Sequence, residues 1–165
     1  MDLLPIFLDI RDQPCLVVGG GMVAARKVAS LRRAHARIHL VAPELTPELQ
    51  DQADAGDLIH CDRNFKDKDI KGMRLIITAT GDRKTNQRVA RLAKASGIPV
   101  NVVDQPEVCS FLLPSVIDRS PVVVAISTTK ASPVLARLTR RSAVGLGLLP
   151  GLPVWVQIKA VALIG

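Results

Sequence analysis

The sequence predicts an α/β fold: a doubly wound parallel sheet followed by a small α+β extension. Three observations carry this prediction. From Pro14 to Asp104, short apolar runs alternate with segments of helical period, the pattern of strands joined by crossover helices. Hydrophobic residues make up 48% of the 165 but aromatics only 2%, so the core is built from Val, Ile, Leu and Ala, which suits parallel strands buried under helices. Three consecutive glycines end the first apolar run. A chain of this length supports one core, and any second unit must be small.

The elements follow in order. Pro14 to Gly19 reads as a strand ended by glycine, and Met22 to Ala36 as a helix, with Val23, Val28, Leu31 and Ala34 near helical spacing. Ile38 to Ala42 is the next strand. Thr46 to Ala55 is a short polar helix opened by a Thr, Pro, Glu start signal, and Leu58 to Cys61 a third strand. "RLIITAT" (Arg74 to Thr80) reads as a buried strand, "KTNQRVARLAKASG" as a helix stopped by Gly97, and "IPVNVVD" (Ile98 to Asp104) as a strand. Beyond Asp104, "SFLLPSVIDR" and "SPVVVAIST" lie close together and suggest a hairpin rather than another crossover. A helix through "VLARLTRR" follows, with Ser132 as N-cap and Pro133 in its first turn. Residues 142–165 lose their charges apart from Lys159. Two prolines and four glycines in that tail argue against a membrane span.

Gly19, Gly21 and Ala24 match G-x-G-x-x-A between a predicted strand and a predicted helix, the context in which this pattern points to a Rossmann-like dinucleotide site. The first glycine permits the turn, the second lets a pyrophosphate approach the backbone, and the small third residue lets the helix pack closely. The helix start then offers unpaired N–H groups to the phosphates. The alternative is a tight turn that binds nothing. A ribose-binding acid at the end of the second strand is missing: Ala42 and Pro43 stand there, with the nearest carboxylate at Glu44. NAD is favoured over NADP, since neither Arg37 nor Arg63 is placed at that strand end. Ligands of open α/β sheets sit beyond the carboxyl ends of the strands, where Thr80, Gly81, Asp82, Asn101 and Asp104 fall. Asp104 has two readings: a half-buried general base or metal ligand, or an Asx-turn residue that ends its strand. His35, His39 and His60 read as structural, not as a zinc site.

The formal charge is +7, with basic residues recurring at Arg26-Lys27, Arg32-Arg33, Arg83-Lys84, Arg88, Arg91, Lys94, Arg137 and Arg140-Arg141. These are either solvated helix faces or a field that draws in a polyanion. With Phe7, Phe65, Phe111 and Trp155 as the aromatics, the chain lacks a stacking platform for nucleic acid, and a small molecule with many carboxylates or phosphates fits better. Three scattered cysteines, Cys15, Cys61 and Cys109, suggest neither a disulfide framework nor a metal site. The start "MDLLPIFLDIRD" has no basic leader, so a cytoplasmic protein is expected, with no membrane association.

Several blocks in order, "LPIFLDIRDQPCLVVGGGMVAARK", "NQRVA", "NVVD", "SFLLPSVIDRSPVVVAIST" and "SPVLARLTR", resemble the amino-terminal module of the siroheme synthase family, the precorrin-2 dehydrogenase and sirohydrochlorin ferrochelatase. The resemblance runs from Met1 to about Arg141. It implies NAD-dependent oxidation of precorrin-2 to sirohydrochlorin, followed in many members by insertion of ferrous iron to give siroheme. The substrate's eight carboxylates would give the basic balance a purpose.

The resemblance assigns Asp104 to both reactions, as base and as proton acceptor or transient metal guide. It places cofactor contacts on the glycine turn and second strand end, at Met22, Val23, Pro43 and Glu44, beside Gly19, Gly21, Thr80 and Asn101. Substrate contacts fall to Thr128, Ser132 and Arg137. A homodimer is implied, with about Pro114 to Arg141 exchanged between subunits, giving residues 1–113 as NAD-binding domain, 114–141 as dimerisation and tetrapyrrole-site extension, and 142–165 as an apolar tail. Two departures stand out. "STTKA" replaces the family's Ser- and Gly-bearing loop, and the tail replaces a charged helical continuation, which suggests a truncated or frame-altered carboxyl end. No methyltransferase module follows, so methylation is not expected of this chain. The alternatives are a non-catalytic dinucleotide-binding regulatory module and an inactive fragment.

Overall fold

The protein is described by a computed structural model over residues 3–127. Strand β1 (Pro14–Val18) leads to helix α1 (Met22–Arg33), β2 (Arg37–Val41), α2 (Pro47–Asp54) and β3 (Ile59–Cys61). A short 3-10 turn (Asp67–Ile70) precedes β4 (Leu75–Thr78), then come α3 (Arg83–Ala95) and β5 (Val100–Val102). The five strands form one parallel sheet in the order β3-β2-β1-β4-β5. The predicted doubly wound sheet is therefore present. The helix expected from Ser132 onward and the tail at 142–165 lie outside the described residues.

The period-2 side-chain alternation of β1 divides the core. Cys15 and Val17 face α1, packing with Ala24, Ala25, Val28 and Leu31 and with Leu49 of α2. Leu16 and Val18 face the other way, onto Val89, Ala90 and Ala93 of α3. Both faces are thus covered, which is why β1 and β4 are apolar at nearly every position. Each fully buried Val, Leu or Ile contributes roughly 1.5–3 kcal/mol relative to exposure. Burial also pushes the Cys15 thiol up to about 11, which makes it an inert core group.

Helix α1 stops three residues short of the expected Ala36. The Ala36 amide donates back to the Leu31 carbonyl and the His35 amide to Arg32, with His35 in the left-handed region at φ 56°. This is a Schellman-type ending with histidine where glycine is usual, so the sequence carries no stop signal there. Thr46 is the N-cap of α2 as expected, with Pro47 in the first turn, but its hydroxyl makes no capping bond and is buried without a partner among the described residues.

After β5 the chain forms a second 3-10 turn (Pro106–Val108) and then the expected hairpin, β6 (Ser115–Arg119) antiparallel to β7 (Val122–Ile126), as a separate two-stranded sheet. Val116 and Val122 are 50% exposed and Val123 43%. A two-stranded sheet with so little burial is marginal by itself.

Two polar clusters fix the loops. Asn86, buried in α3, accepts from the Thr78 hydroxyl at 2.5 Å and the Thr80 hydroxyl at 2.7 Å, and donates to the Thr80 carbonyl at 2.9 Å. Arg63 donates to both oxygens of Asp69 at 2.8 Å, while the Lys66 amide donates to the same carboxylate. The Asn86→Ala variant strips the buried Thr78 hydroxyl of its acceptor, and urea denaturation should show a loss of about 2–3 kcal/mol. The bonds from Arg63 hold Asp69 below its ordinary 3.8. A carboxylate with a lowered folded-state value stabilises the protein above its unfolded value, and that contribution is lost as pH falls through the folded one. Asp69→Asn should therefore lower the urea midpoint at pH 7, and the gap from the parent should close as the pH is taken below about 4.

Candidate dinucleotide site and its carboxylate

The site is built where neighbouring strands send their chains to opposite faces. β1 and β4 lie side by side in register, Val18 beside Thr78, and lead to α1 on one face and α3 on the other. The crevice at the carboxyl ends of such a pair is where an open α/β sheet binds ligands.

Each glycine of the turn answers a different constraint. Gly19 has φ +116°, and a Cβ there would stand 2.5 Å from the Ala79 carbonyl oxygen. At Gly20 a Cβ would come within 1.9 Å of the Glu44 carbonyl oxygen, on the loop that leaves β2. That loop is tied to the turn by the Thr46 amide, which donates to the Gly20 carbonyl at 2.9 Å. A Cβ on Gly21 would meet nothing within 4 Å. Sequence reasoning credited Gly19 and Gly21 and treated Gly20 as a free position, yet the closest backbone approach is at Gly20. The signal was the unbroken run of three glycines.

Gly21 is the N-cap of α1, and the first turn has neither a capping side chain nor an acidic residue. Its amides are left for an outside acceptor, beside the open space at Gly21. These residues fit the pyrophosphate of a dinucleotide. Ala24 is fully buried against the sheet, as its place in the motif requires, while Met22 is 68% exposed at the mouth of the turn and Val23 half-buried. Pro43 and Glu44 are exposed on the β2 exit.

Of the other predicted residues, Thr80 lies beyond the end of β4 with its hydroxyl bonded to Asn86 and accepting from the Asp82 amide. Asp82 caps α3, accepting from the amides of Lys84 and Thr85. Asn101 sits inside β5 rather than at its end, and its amide donates to the Phe111 carbonyl at 3.0 Å. His60 donates to the Ala42 carbonyl at 2.9 Å, supporting the β2 exit, and burial pushes His39 below its ordinary value. Among the described residues, no group of three or more metal-ligating side chains comes together. Thr128, Ser132 and Arg137 lie outside the described residues.

Asp104 is exposed, not half-buried as expected, because it leaves the sheet in a left-handed turn at φ 61°. Neither does it bond its own loop as an Asx turn: among the described residues its carboxylate accepts no hydrogen bond. Lys27 of α1 is half-buried, and Asp104 is one of the charges acting on it. Sequence reasoning missed Lys27, Asn86, Gln105 and Cys109. Asn86 stands in the "NQRVA" block, which was its signal. The Cys109 sulfur accepts from the Val102 amide at 3.1 Å and donates toward the Gln105 carbonyl, closing the loop that presents Asp104.

A family model described as "Putative NAD(P)-binding" matches residues 6–115. The chain belongs to that family. A second model, described as a TOBE domain, matches residues 115–165. Within the NAD(P)-binding family, the chain is 54% identical over 140 residues to the siroheme synthase of Nitrosococcus oceani and 52% identical to that of Thioalkalivibrio sulfidiphilus, in each case over 85% of this chain. It spans about 30% of the length of these relatives. A solved structure described as "SirC, precorrin-2 dehydrogenase" superimposes with a TM-score of 0.75 at 26% identity, covering 87% of this chain and 71% of that one. The resemblance read from the sequence blocks is thereby borne out. Among the described residues no helix is long and apolar enough to cross a membrane.

The three glycines separate packing from binding, and substitution tells them apart. Gly20→Ala drives a Cβ into backbone and should cost more than about 2 kcal/mol in urea denaturation. Gly21→Ala should leave stability within about 1 kcal/mol, while NAD affinity, followed by titration calorimetry, falls.

Proposed function

We propose that the chain catalyses NAD-dependent oxidation of precorrin-2 to sirohydrochlorin. The observation that carries this reading is the Asp104 carboxylate, which accepts no hydrogen bond among the described residues and is presented at the carboxyl end of β5 on the same sheet edge as the open glycine turn. The similarity to a protein described as a precorrin-2 dehydrogenase supports it.

In this reading the amides at the start of α1 hold the pyrophosphate, and the β2 exit, with Pro43 and Glu44, holds the adenosine end. Bound NAD supplies the hydride acceptor. Asp104 takes on a carboxylate oxygen the proton released from the macrocycle as the hydride leaves, the work of a general base whose lone pairs are not already committed. NAD is favoured over NADP because Arg63 is committed to Asp69 and Arg37 starts β2 at the end away from the site. For iron insertion, Asp104 is also the acceptor for the pyrrole N–H protons that ferrous iron, as substrate, displaces. Thr128, Ser132 and Arg137 serve as substrate contacts, and the partner is a second copy, for which the half-exposed valines of β6 and β7 supply an apolar face. A protein of this kind works in the cytoplasm.

Purified protein given enzymatically generated precorrin-2 and NAD should develop the sirohydrochlorin absorbance, with NADP supporting a lower rate. Asp104→Ala should cut turnover by about a hundredfold or more while NAD affinity stays within about twofold. NAD binding without turnover in a folded protein would reject the enzyme reading in favour of a non-catalytic dinucleotide-binding module.

A further inference from the structure

Thr80 carries a hydroxyl whose single proton is taken up within the protein. The residue lies just past the end of β4, half-buried and against the glycine turn: a Cβ on Gly19 would stand 3.2 Å from the Thr80 amide nitrogen. Two acceptors are in reach of the hydroxyl, the Asn86 Oδ1 at 2.7 Å and the Asp82 carbonyl at 3.1 Å, and the Asp82 amide donates to it at 3.2 Å. A threonine hydroxyl has one proton and two lone pairs, so donation to either acceptor leaves one lone pair and no hydrogen for a ligand.

Asn86 sets this polarity. Its Nδ2 donates to the Thr80 carbonyl at 2.9 Å, which turns Oδ1 toward the hydroxyls of Thr78 and Thr80. The opposite amide orientation would set Oδ1 against that carbonyl, two acceptors face to face. Thr78 and Asn86 are both buried, so water does not compete for these bonds.

The geometry points to Thr80 as a hydrogen-bond acceptor for the nicotinamide half of NAD, with Asn86 as the positioning residue that keeps its proton turned inward. This rests on the placing of NAD proposed above, with the pyrophosphate at the start of α1 and the adenosine end at the β2 exit. β4 lies on the other side of β1 from β2, about 4.8 Å away, so the half of the dinucleotide beyond the pyrophosphate passes over the β4 exit. An ionised phosphate oxygen has no hydrogen to give Thr80. The group it receives is a ribose hydroxyl or the carboxamide N–H.

Calorimetric titration of the full chain with NAD, ADP-ribose and ADP tests it. ADP keeps the adenosine and both phosphates, ADP-ribose adds the second ribose, and NAD adds the nicotinamide. Thr80→Val should weaken NAD binding about fivefold, the scale of one hydrogen bond, with ADP affinity within about twofold of the parent. ADP-ribose weakened alongside NAD identifies a ribose hydroxyl as the donor, and ADP-ribose unchanged identifies the carboxamide; either result supports the proposal. Thr80→Ser keeps the hydroxyl and should hold NAD affinity within about twofold of the parent. NAD affinity unmoved by Thr80→Val, or ADP weakened as much as NAD, overturns the proposal.

Asn86→Ala alone strands the Thr78 hydroxyl, so it is made together with Thr78→Val, which removes both partners of that bond. Relative to Thr78→Val alone, the added change should lower the ratio of NAD to ADP affinity at least about threefold, whereas general damage to the glycine turn would weaken both ligands and leave the ratio as it was. In the Thr80→Val background the same change should alter the ratio by less than about twofold, since the hydroxyl that Asn86 positions is absent. A ratio unchanged in the first case, or lowered equally in the second, overturns the positioning role. Precorrin-2 enters none of these titrations, so failure of the oxidation reading leaves their outcome standing.

Discussion

Backbone contact at the carboxyl end of β1 governs the rest of the architecture. Gly19 and Gly20 press against the Ala79 and Glu44 carbonyls, so the turn after β1 touches the segments leaving both neighbouring strands. The Gly19 amide donates to Val41, the Ala79 amide to Val18, and the Thr46 amide to Gly20. Three loops are thereby locked to one another by backbone hydrogen bonds, with the Leu45 side chain packed close to Gly20. Any Cβ there would wedge the strand exits apart, and the start of α1 would lose its aim along with them. Because two glycines are consumed by packing, Gly21 is the position at which space remains for a ligand.

The loops beyond β4 and β5 are fixed differently, by polar side chains that satisfy buried backbone and hydroxyl groups. Asn86 clamps the exit of β4 from inside α3, and the Ser110 hydroxyl accepts from the Val100 amide while Cys109 accepts from Val102. Such groups are costly to leave unpaired, so these loops have little freedom. Asp104 is carried on this scaffold in a left-handed conformation that costs an ordinary residue roughly 1–2 kcal/mol. With the surrounding hydrogen bonds made by its neighbours, the carboxylate itself accepts none among the described residues. That is the physical difference between Asp104 and Asp82, whose oxygens are spent on the start of α3.

Much of this was legible in the residues. Alternating apolar runs and helical segments define the five parallel strands, because a strand buried on both faces must be apolar throughout. Glycine and proline mark most of the boundaries: Gly97 at φ +67° after α3, Pro47 at the start of α2. The end of α1 was not legible, since His35 takes the left-handed position with no compositional sign. At the site, the glycine pattern and the strand-end position of Asp104 could be read. The demands on Gly20 could not, because they come from loops brought together by the sheet order rather than by proximity in the chain.

The charge distribution joins these levels. Four acids, Asp9, Asp57, Asp67 and Asp69, are paired with Arg11, Arg32, Arg88 and Arg63. Three of those pairs are exposed and contribute little to stability, so the basic excess is not explained as structural reinforcement. The net charge of +7 sets up a long-range field of the sign that attracts polyanions. Salt screens such a field over about 8–10 Å. If the proposed acidic substrate is taken, such a field would raise the rate of encounter at low salt more than it would strengthen contacts inside the crevice.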